Sequence, residues 1–247
     1  MKVVVIIPAA GLGTRMAAPA KGSARPASSK QFVELGGVPI LIRTLRKFAA
    51  CREVGEIFVA LRKPEIGQYR PRLEKEGFGG GKLHLVEGGE HRQQSVANAL
   101  AQVKADPDDI VLVHDAVRPF VDEATIRSVI DAAAKYGAAI AGLPAVDTVK
   151  QVDRTAEGAI VSSTIPRQHV VLAQTPQGFR FGLLKKTFDD AIADGFTGTD
   201  EASLLERAGH EVAVVMGSPR NLKITTPDDL ALAEFYLEQE GRGSRKP

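Results

Sequence analysis

Cysteine is almost absent from this chain of 247 residues: Cys51 stands alone. One thiol excludes an intramolecular disulfide and a cysteine-built zinc site, and both exclusions point to a reducing compartment, the cytoplasm. Excess charge of one sign is missing too. The 32 basic and 30 acidic residues leave a formal charge of +2, which excludes broad coating of a nucleic acid or an anionic membrane, so any anion site has to be local. No apolar stretch approaches the length of a membrane span. The opening run 3–7 is strand length and breaks at Pro8, unlike a signal peptide.

What is present suffices for a full core: 44% of the residues are hydrophobic, and the length fits one domain. Apolar runs of strand length recur as KVVVII, EIFVAL, KLHLV, IVLVHD, AAIAGL and EVAVVM, separated mostly by helical spacing. That alternation predicts an α/β fold. Runs that are apolar throughout suit strands of a parallel sheet covered by helices on both faces. Val96, Ala99, Leu100 and Val103 follow the i, i+3, i+4, i+7 pattern, as do Ile126, Val129, Ile130 and Ala133 behind a candidate cap at Asp122. Thr226, Pro227 and Asp229 read as the start of a last helix reaching about Leu237.

Two segments break the rhythm. Residues 17–29, AAPAKGSARPASS, are too rich in Pro, Ser, Gly and Ala for regular structure and are expected to form a mobile loop. Residues 147–170 read as an antiparallel arm, either meeting a partner subunit or lying as a plain surface hairpin. The expectation is a single domain, 1–247, with a β-arm at about 147–170 and a disordered tail at 241–247.

The stretch PAAGLGTRM, 8–16, follows a buried strand. Gly11 and Gly13 leave backbone N–H groups unshielded, so the loop either cradles a phosphate or makes a tight turn. A dinucleotide fingerprint would need a third glycine where Met16 stands, and no Gly-Lys-Ser/Thr completes a Walker loop. Glu34 lies near the spacing of a ribose-binding acid, although FVELGG reads equally as a short surface strand and turn. Arg15 and Lys30 bracket the loop, and two fixed cations beside it suit a triphosphate. Further on, IVLVHDAVRP ends a strand with His114 and Asp115 and then presents Arg118. Open α/β sheets bind ligands beyond their strands' carboxyl ends, so Asp115 would face the glycine loop, holding a divalent cation or capping a turn. His114 is expected to pack or hydrogen-bond beside its strand rather than act in catalysis.

These stretches, with SSKQF, GGEHRQQSV, DTVK, LAQTPQGF, TDEASLLE and NLKITTPDDLALAEFYL, resemble the 2-C-methyl-D-erythritol 4-phosphate cytidylyltransferase family in order along nearly the whole chain. The resemblance implies transfer of the cytidylyl group of CTP to 2-C-methyl-D-erythritol 4-phosphate with release of diphosphate, in non-mevalonate isoprenoid biosynthesis. It implies a Rossmann-like, mostly parallel sheet, an arm used in homodimerisation, and magnesium as cofactor. By motif, Arg15, Lys30 and Lys223 correspond to the family's phosphate-binding and catalytic cations. Ala9, Ala10, Gly11, Gly13, Gly89, Ser95 and Asp115 fall at nucleotide-binding positions, and Asp115 also at the metal. Arg118, Thr148, Arg167, Thr175 and Thr199 correspond to acceptor-binding positions, with Thr148 and Arg167 donated across the dimer. By its own sequence context, Thr199 would otherwise cap a helix before Asp200. Three departures stand out: Glu90 in place of a common aspartate, Val117 in place of alanine, and a long 16–30 loop. The nearest alternatives are a ribitol 5-phosphate cytidylyltransferase and a non-catalytic nucleotide-binding regulator; a hydride-transferring oxidoreductase is disfavoured by Met16.

Overall fold

The computed structural model describes residues 1–11 and 30–243. Gly13, Arg15 and the expected mobile loop at 17–29 lie outside the described residues. The chain begins with strand β1 (Val3–Pro8) and, beyond a 3₁₀ turn at Lys30–Phe32, forms a small hairpin of β2 (Glu34–Leu35) and β3 (Val38–Pro39). Gly36 and Gly37 close that hairpin with φ of 54° and 74°, a left-handed pair that glycine adopts without side-chain strain. Helix α1 (Ile40–Ala50), β4 (Val54–Leu61), α2 (Lys63–Leu73), β5 (Leu83–Glu87), α3 (Arg92–Leu100), β6 (Ile110–Val113), α4 (Glu123–Tyr136) and β7 (Ala138–Pro144) follow. After them come the hairpin β8 (Val149–Thr155) and β9 (Gly158–Ile165), then β10 (Val171–Arg180), α5 (Phe181–Ala193), α6 (Glu201–Arg207), β11 (Ala213–Met216) and α7 (Pro227–Gly243).

Seven strands form one sheet in the order β11-β7-β10-β6-β1-β4-β5. All neighbours are parallel except β10, which runs antiparallel to both β6 and β7. The period of two along β1 separates two cores: Val3, Val5 and Ile7 join Leu45, Phe48, Val129 and Ile130 from α1 and α4. Val4 and Ile6 join Val96, Leu100, Leu184 and Phe188 from α3 and α5 on the opposite face. Both faces are therefore covered, which is why the strands read as unbroken apolar runs.

Asp122 caps α4 as expected, its carboxylate accepting from the Thr125 N–H at 2.7 Å. At the start of α7, Asp229 accepts from the Thr226 N–H at 2.8 Å while the Asp229 N–H donates to the Thr226 hydroxyl at 3.2 Å, a reciprocal capping box. That helix runs to Gly243 rather than ending near Leu237, so residues 241–243 are helical where a disordered tail was expected, and 244–247 lie outside the described residues. Helix α3 ends at Leu100, and Val103, expected on its apolar face, is buried just beyond it.

Strand β10 is the element that pattern reading passes over. Thr175-Pro176 interrupts LAQTPQGF, and a proline in a central strand is tolerated only at an irregularity. Here the pairing with β7 shifts register between Ala173 and Gln177, so Pro176 sits in the break. The arm at 147–170 does form an antiparallel pair, β8 with β9, as a separate sheet of two strands. Among the described residues, no helix is long and apolar enough to cross a membrane.

A glycine fixes how closely α4 lies on β10. A Cβ at Gly178 would come within 2.7 Å of Val129 Cγ1 and 3.0 Å of Leu112 Cδ2, whereas one at Gly67, inside α2, meets nothing within 4 Å. Gly178→Ala is expected to destabilise the fold by about 1–3 kcal/mol, and Gly67→Ala to stabilise it by about 0.5–1 kcal/mol. Urea unfolding midpoints check the opposite signs.

Candidate active site

The chain leaves β1 toward β4 and β5 on one side and returns through α3 to β6 on the other, so β1 and β6 diverge at their carboxyl ends. The crevice there contains a hollow of about 210 Å³ lined by Ala9, Gly11, Lys30, Gly89, Ser95 and Asp115, among others. Gln31, buried in the 3₁₀ turn, donates to the Ala9 carbonyl at 2.6 Å, which ties the start of the glycine loop to the turn that carries Lys30. Ser95, on α3, accepts from the Gly89 N–H at 3.0 Å and donates to the His91 carbonyl at 3.1 Å, folding the loop after β5 against the helix.

Asp115 forms one wall. Its carboxylate is met at Oδ2 by Lys223 Nζ (2.9 Å) and Arg118 Nε (3.2 Å), and at Oδ1 by Arg92 Nε (3.4 Å). Burial alone would raise its pKa, but Arg92, Lys223 and Arg118 together outweigh burial and hold it well below the usual carboxylate range. Asp115 is therefore a permanent anion inside a cationic ring. On the other side of the same wall lies a second hollow of about 190 Å³, lined by Arg118, Gln174, Thr175, Gln177 and Thr199. Arg92, Asp115 and Lys223 line both hollows.

A buried hydrogen-bond chain sets the position of that wall. The Asp115 N–H donates to the Thr175 hydroxyl at 3.0 Å, and that hydroxyl lies 3.1 Å from His114 Nδ1. His114 Nε2 is 3.1 Å from the Arg118 carbonyl, an acceptor, so Nε2 carries the proton and Nδ1 accepts from Thr175. Burial pushes the His114 pKa down to about 4, and the ring is neutral. Arg118 in turn donates to the Asn221 carbonyl at 2.7 Å, and Asn221 Nδ2 donates to the Thr175 carbonyl at 2.8 Å. Beneath them Leu35, Ile40, Val117, Phe120, Ile224 and Ala233 form a third small core, which presses the Lys223 segment against the turn after β6.

The family model for 2-C-methyl-D-erythritol 4-phosphate cytidylyltransferase matches residues 3–239. The chain belongs to this family. A 2-C-methyl-D-erythritol 4-phosphate cytidylyltransferase of Acidobacterium capsulatum is 60% identical over 99% of this chain and 100% of its own length. One from Solibacter usitatus is 52% identical, covering 99% of each. The crystal structure of the cytidylyltransferase from Francisella tularensis aligns with a TM-score of 0.77 at 36% identity, over 95% of this chain and 99% of that one.

In this cytidylyltransferase fold Ala9, Ala10, Gly11, Lys30, Gly89, Ser95, Asp115 and Lys223 all line the first hollow, as the motifs suggest. Arg118, Thr175 and Thr199 line the second. Thr148 and Arg167 line neither; they lie exposed at the base of the arm, where Arg167 Nη1 donates to the Val146 carbonyl at 2.7 Å. One expectation needs correction. The cap of α6 is Asp200, whose carboxylate accepts from the Ser203 N–H at 3.0 Å, so Thr199 has no capping duty. The Thr175 hydroxyl, in the lining of the second hollow, also accepts from the Asp115 N–H and donates to His114 Nδ1, which helps to place the wall. Glu34 sits in β2, pairs with Arg72 at 3.1 Å and lines neither hollow.

Arg92, Gln31, Gln177, Glu201 and Asn221 were not singled out from the sequence. Arg92 carried a usable signal: a cation as the first residue of a helix opposes the helix dipole. Glu201, in the first turn of α6, gave none, because an acid is favourable there.

The neutral His114 has a measurable consequence. Its folded pKa of about 4 lies below its ordinary 6.5, so between those values the unfolded chain binds more protons and native stability falls as pH drops. The stability difference between wild type and His114→Gln should shrink with falling pH across that window by about 1.4 kcal/mol per pH unit. Denaturant titrations at a series of pH values measure it, and a pH-independent difference would count against a buried neutral imidazole.

Proposed function

We propose that the two hollows divide the substrates of a cytidylyl transfer: CTP occupies the first, the phosphate of 2-C-methyl-D-erythritol 4-phosphate the second, and they meet at the Asp115 wall. The observation that carries this is the shared lining of Arg92, Asp115 and Lys223. In the reaction a phosphate oxygen of the acceptor forms a bond to the α-phosphorus of CTP. The bond from that phosphorus to the bridging oxygen breaks, and diphosphate leaves with the electron pair. No proton has to be removed from the nucleophile, because a phosphate monoester is largely ionised at neutral pH. That accords with a site whose histidine has both ring nitrogens engaged.

Charge is what the protein has to manage, since negative charge grows on the leaving diphosphate as the bond breaks. Lys30 and Lys223, both in the lining of the first hollow, are assigned to the phosphates together with Arg15 of the glycine loop. Arg118 in the second hollow holds the acceptor phosphate. The donor set fits magnesium only in company with phosphate. Asp115 is a single carboxylate already facing three cations, and among the described residues the one trio of metal-ligand side chains close enough to share an ion is Cys51, Glu53 and Glu123. Arg127 pairs with both acids of that trio, which lines neither hollow. Asp115 would hold the ion jointly with phosphate oxygens and water, and the bound ion would neutralise phosphate charge.

The arm supports a homodimer. A two-stranded hairpin is marginal alone, and Val152, Ile160 and Val161 are exposed on this one. A partner subunit covering it would receive Thr148 and Arg167 near its second hollow. The single thiol of Cys51, buried, accords with a cytoplasmic setting.

Diphosphate release measured over a panel of nucleotides and alcohol phosphates, ribitol 5-phosphate included, tests the assignment. CTP with 2-C-methyl-D-erythritol 4-phosphate should be preferred, and Lys30→Ala or Arg15→Ala should lower turnover about a hundredfold to a thousandfold with the fold intact. Wild-type-like release from both variants would refute the assignment. Chelation should abolish release and added magnesium restore it; undiminished activity in chelator would remove the metal from Asp115.

A further inference from the structure

Among the described residues Arg92 is one of two cations that line both hollows, and its surroundings differ from those of Lys223 and Arg118. Arg118 and Lys223 share one oxygen of Asp115, whereas Arg92 lies 3.4 Å from the other and only 2.7 Å from Glu201 Oε1. The guanidinium is thus drawn toward Glu201 more than toward Asp115. Glu201 is 1% exposed and lines neither hollow, and its second oxygen, Oε2, has no hydrogen-bond partner among the described residues. A buried carboxylate with one oxygen unpaired is costly, and Arg92 is its charge partner.

Burial raises the Glu201 pKa and the Arg92 charge opposes that rise; with both acids ionised, Arg92, Arg118 and Lys223 face Asp115 and Glu201 and leave one positive charge in excess at the wall. Without Glu201 the excess would be two, and Arg92 would close on Asp115 in competition with the other two cations. With Glu201 in place, Nε and Nη1 of the planar fork are engaged and Nη2 has no partner among the described residues. The side chain remains 29% exposed and borders both hollows.

We infer that Arg92 is a further catalytic residue that binds the phosphoryl group during its transfer between the two hollows, and that Glu201 is the positioning residue that keeps its guanidinium available. This rests on the proposed transfer. As the acceptor oxygen bonds to the α-phosphorus and the diphosphate oxygen departs with its electron pair, charge spreads over the oxygens that stay on phosphorus. A donor at the junction of the hollows meets those oxygens more strongly in the transition state than in either bound substrate, which places its effect in kcat.

The test is steady-state kinetics of the full chain with CTP, magnesium and 2-C-methyl-D-erythritol 4-phosphate, alongside thermal unfolding. Arg92→Met should lower kcat about a hundredfold to a thousandfold, as removal of a single transition-state donor does, with little change in either KM. Arg92→Lys should recover part of the loss. Glu201→Gln, of the same shape but uncharged, should lower kcat by about tenfold, and adding it to Arg92→Met should cost nothing more, because a positioning residue has nothing left to position. Losses that add fully would overturn the role of Glu201. A folded Arg92→Met with wild-type kcat would overturn the role of Arg92. If the methionine variant does not fold, Arg92→Lys decides the matter: reduced kcat at unchanged KM supports the assignment and an unchanged kcat contradicts it. Wild-type protein that releases no diphosphate would instead overturn the transfer reading itself.

Discussion

An ionised carboxylate at the end of a buried strand is unstable by itself, and Asp115 is such a group: the last apolar residue of β6 is two positions away, and little of the side chain reaches solvent. Its charge is retained because Arg118 from the same turn, Lys223 from the segment before α7 and Arg92 from the start of α3 converge on it. Those cations come from three stretches far apart in sequence, and their convergence depends on β6 lying beside β1 at the reversal of strand order. One buried anion thus gathers the cations, and the cations make the place proposed for phosphate. Removing the acid would scatter them; removing a cation would leave the acid uncompensated.

The scaffold behind this wall is built mostly from neutral groups. His114, Thr175, Asn221 and the Arg118 carbonyl bond to one another in a chain that the Arg118 guanidinium closes on the Asn221 carbonyl, and the antiparallel course of β10 brings Thr175 to the carboxyl end of β6. A parallel strand at that place would present its residues in the reverse order along β6. Rigidity of this kind matters for a reaction governed by charge placement, where donors misplaced by an ångström lose much of their effect.

The parallel part of the sheet was legible because strands buried on both faces are apolar at every position, as Val3 to Ile7 show. The motif residues of the first hollow were legible because glycines and cations cluster in short stretches. Strand β10 was hidden by Pro176, whose break in the ladder resembles a loop in sequence. Glu201 was hidden for a different reason: an acid in a helix's first turn already has an ordinary explanation, and only the fold shows it buried against Arg92. The split into two hollows was legible only in part. Arg118, Thr175 and Thr199 meet in one of them, while Thr148 and Arg167 lie exposed at the base of the arm and line neither.

The most direct measurement of the central claim is a crystal structure of the protein with a non-hydrolysable CTP analogue, magnesium and 2-C-methyl-D-erythritol 4-phosphate bound together. The account predicts the triphosphate in the hollow after β1, the acceptor phosphate in the hollow beside β10, and the α-phosphorus at the wall formed by Arg92, Asp115 and Lys223. Both phosphates on one side of Asp115, or a triphosphate remote from it, would contradict the account.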